Sequence, residues 1–117
     1  MTNTPQIEFL LKYLSEIHNK SLALYELVIS RPKPSHERVV LNINELFTLY
    51  HTTNLFYFEH PELDQAEVVP FLSAFDDFYF ELKQVFLNED DDTALLYNRL
   101  LTMKETFEEL TKAYNVL

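Results

Sequence analysis

A chain of 117 residues with 47% apolar and 15% aromatic side chains can build one core but not two, and its composition argues against disorder despite a formal charge of −10. Glycine and cysteine are both missing, and at ordinary usage a chain of this length draws no glycine with a chance on the order of a few in ten thousand. These absences exclude P-loops, Rossmann fingerprints, EF-hand turns and primed hairpin turns, together with disulfides, thiolate catalysis and thiolate metal sites.

Residues 1–10 carry no base, and Glu8 arrives before any apolar run, so a secretory leader is not expected. Uninterrupted apolar stretches reach only four residues, as in Leu55-Phe56-Tyr57-Phe58, far short of the ~20 needed to span a bilayer. The expectation is a cytoplasmic chain.

Apolar spacing predicts four helices over about 5–30, 36–58, 70–88 and 93–115. Thr4 as N-cap and Pro5 at the first helical position open the first. Its apolar stripe is Ile7, Leu10, Leu11, Leu14, Ile17, Leu24, Tyr25 and Val28, interrupted by Ser21. Arg31-Pro32-Lys33-Pro34 ends it, because a residue preceding proline is pushed out of the helical region. Ser35 caps the second helix, whose stripe is Val39, Val40, Ile43, Leu46, Phe47, Tyr50 and Tyr57, and His60-Pro61 closes it.

Asp64 and Glu67 have capping-box spacing, but Pro70 lies too deep for a smooth helix from Asp64. A short helical turn over 61–67 is expected instead, followed by a third helix with Phe71, Leu72, Phe75, Phe78, Tyr79, Leu82, Val85 and Phe86 inside. The fourth carries Leu96, Tyr97, Leu100, Met103, Phe107, Leu110, Tyr114 and Leu117. Short connections favour antiparallel neighbours, so the expected fold is all-α, a single-domain up-down-up-down four-helix bundle with an aromatic-rich core.

The charge is local. Between Glu59 and Asp92 stand eleven carboxylates and one base, Lys83, whereas the rest of the chain holds eight acids and eight bases. Such a segment repels nucleic acid and anionic membrane and attracts basic surfaces. On the third helix a heptad leaves Phe80 facing outward, flanked by Asp76, Asp77 and Glu81. An outward aromatic ringed by acids suits an interface anchor for a basic partner, although Phe80 could instead cover a seam with the aromatic second helix. Asp90 and Asp91 extend the acidic set into the last connection, Asn88–Asp92, where carboxylates also gain from the dipole of the following helix. That run lacks the spacing and the glycine of an EF-hand.

Arg31, Lys33, His36 and Arg38 make the one basic cluster, read as a solvated connection. Carboxylate-bridged di-iron bundles need Glu-x-x-His pairs, and none occurs. The four histidines, His18, His36, His51 and His60, have no metal-ligand spacing; two fall at helix ends and two on seams. No catalytic triad pattern and no tuned acid pair stands out.

The residues therefore lead to a small acidic, non-enzymatic interaction protein that docks a basic protein surface, with no cofactor, no nucleic acid and no membrane. Asp76, Asp77, Phe80, Glu81, Asp90 and Asp91 are the candidate contact residues. An inhibitor or immunity-type protein that masks a basic active site is a concrete version, by likeness of architecture alone. The alternatives are a structural or oligomeric subunit, monomer against homodimer, and a ligand- or metal-binding bundle.

Overall fold

Prolines and capping side chains divide the chain where the sequence places its punctuation. The computed structural model describes residues 4–30, 32–88 and 93–115. Helix α1 spans Thr4–Ile29, α2 His36–Glu59, α3 Val68–Leu87 and α4 Ala94–Asn115, with a 3-10 turn at Pro61–Leu63 between α2 and α3.

The end of α1 and both ends of α2 have a local cause. At the end of α1 the Ser30 N–H and hydroxyl both donate to the Leu27 carbonyl, at 3.3 and 2.8 Å. The Ser35 hydroxyl accepts from the Arg38 N–H at 3.2 Å and so satisfies one of the free donors that open α2. The backbone leaves α2 at His60, as the following proline requires, and the His60 ring closes on the Phe56 carbonyl at 2.8 Å. Helix α3 begins two residues earlier than its spacing suggested. Glu67 is the N-cap, so Pro70 stands third in the helix, inside the turn whose N–H groups have no intrahelical acceptor.

The helices run up-down-up-down. Helix α1 packs along α2 and α3 along α4, and α1 also touches α4 and, across the core, α3. By contrast, the α2 and α3 backbones barely approach within 8 Å. Rings bridge that seam instead: His36 on Phe86 at 4.9 Å, Phe47 on Tyr79 at 6.3 Å and Tyr50 on Phe75 at 4.6 Å. The described chain measures 49 × 24 × 18 Å, with a radius of gyration of 15.0 Å. A globular domain of this length would have about 13 Å, so the bundle is a rod.

Phe71, Phe75 and Phe78 are fully buried on α3, facing Leu10, Leu14 and Ile17 of α1, Leu46 of α2, and Leu96, Met103 and Leu110 of α4 in one continuous core. Burying each phenylalanine side chain is worth roughly 2–3 kcal/mol by area. Two polar side chains share this interior. The Thr53 hydroxyl donates to the Leu49 carbonyl at 2.7 Å, while the Ser21 hydroxyl has no partner. Two expected core residues are largely exposed instead: Phe47 at 52% and Tyr97 at 47%. Phe47 sits where α2 and α3 stand apart, and Tyr97 meets the ring of Tyr25 at 6.2 Å. Leu117 lies outside the described residues.

Candidate functional site

The outer face of α3 follows from its sequence by helical geometry. At 100° per residue, separations of 11 and 7 residues return to within about 20° of the starting direction. Val69, Phe80 and Leu87 therefore form one line along the helix, and they are 60%, 60% and 63% exposed. Asp76 lies on the same line, and Asp77 and Glu81 stand beside it on the side nearer α4. Asp76 and Asp77 are exposed and Glu81 is half-buried. Phe80 makes no ring contact among the described residues; the seam with α2 is filled by Tyr79, Phe75 and Phe86. Asp90 and Asp91 lie outside the described residues.

Among the described residues no base pairs with these carboxylates. Among the described residues the one ion pair is Lys112–Glu109, at 3.5 Å on the surface of α4. Lys83, the only base of the acidic segment, places its ammonium 4.6 Å over the ring of Tyr79. Asp76, Asp77 and Glu81 therefore have no cation within ion-pair distance among the described residues.

A second exposed row faces the same seam from α2. Phe47, His51, Leu55 and Phe58 recur at i, i+4, i+8 and i+11, and Phe58 is the most exposed large apolar side chain of the described set, at 74%. The sequence reading missed this row. Spacing alone puts Phe47 in the α2 core stripe and leaves Phe58 off it. The signal was present in the spacing, but α2 is apolar on several sides and spacing alone does not say which side has a neighbour.

The turn joining α2 to α3 is fixed by two tyrosines. The Tyr57 hydroxyl, from the last turns of α2, donates to the Asp64 carboxylate. The Tyr114 hydroxyl, from the far end of α4, donates to the Leu63 carbonyl at 2.6 Å. Asp64 thus serves as an acceptor for a tyrosine and does not cap a helix. Burial, reinforced by the neighbouring Asp64 carboxylate, raises both phenols: Tyr57 far above the usual range, and Tyr114 to about 12 with Glu67 adding to the effect. These bonds hold residues 61–67 onto the bundle and so set the height at which α3 starts.

All four histidines stack on phenylalanine. His18 lies on Phe107 at 4.2 Å, His36 on Phe86 at 4.9 Å, His51 on Phe47 at 6.2 Å and His60 on Phe56 at 4.3 Å. They act as flat rings at seams and helix ends. Burial against α4 lowers the pKa of His18, against the opposing effect of its contact with the Asn19 side chain at 3.1 Å. Among the described residues no three histidine, aspartate or glutamate side chains converge as metal ligands would.

An open groove between α1 and α2, lined by Lys20, Leu41, Asn44, Glu45, Thr48, Leu49 and Thr52, mixes polar and apolar groups without enclosing them. No described helix is long and apolar enough to cross a membrane. No protein-family model, no curated protein and no solved structure matches this chain.

Proposed function

We propose that this bundle is a non-enzymatic docking protein whose α3 face engages a basic protein surface. The observation that carries the reading is a combination on one helix: Asp76, Asp77 and Glu81, without a cationic partner among the described residues, beside Phe80 at 60% exposure. Unpaired carboxylates steer a cationic surface into contact from about a Debye length away, roughly 8–10 Å at ordinary ionic strength. A large exposed ring then supplies the desolvated contact that charge alone gives poorly. A protein that occludes a basic active site, as an inhibitor or immunity-type protein does, would use a face of this kind.

The test is capture of a partner from host extract at low and at high salt, with Asp76→Lys/Asp77→Lys as the matched variant. The reading expects a partner retained at low salt, released at high salt and absent from the variant, whose thermal stability stays near wild type. A partner that binds the variant as well as the wild type ends the proposal. A second reading, a homo-oligomeric subunit, is favoured by the exposed rows on α2 and α3. Light scattering separates the two, because a dimer that persists in high salt supports the subunit and a monomer supports docking.

A further inference from the structure

The seam between α2 and α3 is bordered by two apolar rows in register. Ring contacts across it pair His36 with Phe86, Phe47 with Tyr79 and Tyr50 with Phe75. This antiparallel alignment puts Phe47 level with Phe80, and Phe58 level with Val69. Phe47 to Phe58 and Val69 to Phe80 are each 11 residues, three turns or about 16 Å of helix. The four exposed side chains mark the corners of one frame. Between those levels His51 and Leu55 of α2 are exposed along its row and Asp76 is exposed on the α3 row, turned toward the seam, while Lys83, next in register after Phe80, holds its ammonium 4.6 Å over Tyr79 at the Phe47 corner.

We infer that the element received along this frame is a cationic amphipathic α-helix of at least three turns, an inference that rests on the docking reading above. Both walls are helices whose backbone groups are already bonded, so an extended segment finds no strand edge to pair with and would bury its own N–H and C=O groups unsatisfied. A helix brings its backbone bonds with it. Apolar residues at i, i+4, i+7 and i+11 of such a helix cover the same three turns as the frame. The backbones of α2 and α3 stand apart here and the rings of Tyr79, Phe75 and Phe86 fill the seam, so the incoming apolar side chains would lie over those rings between the two rows.

Charge selects the sign of the partner. Asp76 lies on the α3 row and Asp77 and Glu81 on its α4 side, none in an ion pair among the described residues, and with Lys83 at the Phe47 corner three carboxylates face one base, so lysine or arginine on the flank of the incoming helix nearer α4 is favoured. A second copy of this chain fits worse, because it would set one acidic segment of net charge −10 against another.

The probe is a labelled lysine–leucine peptide of roughly 18 residues with its leucines on one helical face. The control has the same composition with leucines spread around the helix. Binding to the full chain is read by fluorescence anisotropy and peptide folding by circular dichroism. The facial peptide should bind at least about tenfold tighter than the control and become helical on binding. Phe80→Ala and Phe58→Ala should each weaken it about fivefold or more while leaving the melting temperature near wild type, as exposed positions allow.

Equal affinity for both peptides, lost in Asp76→Lys/Asp77→Lys, would overturn the helix inference and leave general cationic docking standing. Failure of both peptides to bind would remove both readings. Self-association that Phe80→Ala abolishes would also overturn the inference, by identifying the occupant as a second copy.

Discussion

Two phenylalanines five residues apart on α3 should respond to the same substitution with losses of very different size. Phe75 is fully buried and packs its ring 4.6 Å from Tyr50 and 5.6 Å from Tyr79. Phe75→Ala removes the transfer gain of the ring, leaves a cavity at the α2–α3 seam and breaks both ring contacts, a cost of about 3–5 kcal/mol. That is a large share of the ~5–15 kcal/mol that holds an ordinary domain. With an unfolding entropy near 2.1 cal/mol/K per residue, such a loss lowers the melting temperature of a chain this long by about 12–20 °C. Phe80, at 60% exposure and without a ring partner among the described residues, should cost within about 0.5 kcal/mol and shift the melting temperature by ~2 °C or less. Urea unfolding followed by far-ultraviolet circular dichroism gives both values. A Phe75→Ala cost below about 1 kcal/mol, or equal losses at the two positions, would refute the assignment of inner and outer faces on α3.

The tyrosines make stability fall at alkaline pH. Their phenols are raised in the folded chain, so the unfolded chain loses its protons first, and stability that is full below pH ~10 declines as pH rises through the Tyr114 value of about 12. Thermal unfolding across this range should show the decline, and Tyr57→Phe with Tyr114→Phe should flatten it. His18 acts at the acid end. Its lowered value means the unfolded chain takes up a proton first as pH falls below about 6.5, so stability present above that pH is lost on acidification. His18→Phe should remove this component, and an unchanged acid slope would contradict it. Ser21→Ala deletes a buried hydroxyl that has no partner and should stabilise by about 1 kcal/mol in urea unfolding. Lys112→Ala should change stability by less than about 0.5 kcal/mol, because both sides of its ion pair lie in solvent.

Helix number, order and punctuation were legible in the chain because they are local. Ser35, Pro61 and the proline pair at 32 and 34 act on their own backbone, and the α3 stripe from Phe71 to Val85 is buried as its spacing required. The outward direction of Phe80, between Asp76 and Asp77, was equally a matter of period.

What spacing could not supply was the distance between neighbours. Phe47 fits the α2 core stripe by period, yet it is half in solvent because α3 stands off at that level and meets it with the ring of Tyr79. The role of Asp64 was hidden for a related reason. Its spacing to Glu67 suggests a cap, whereas its partner is a tyrosine hydroxyl seven residues earlier, brought over it only when the 3-10 turn folds back. Tyr114 meets Leu63 from 51 residues away, a contact that exists only once the bundle closes.

The most direct test of the docking face is a residue-resolved amide chemical-shift titration of the chain with the facial cationic peptide. The account predicts perturbations concentrated on the outer turns of α3, at Asp76, Asp77, Phe80 and Glu81, and on the α2 row from Phe47 to Phe58, with α1 largely silent. Shifts centred on α1 and α4, or spread evenly around the rod, would contradict it.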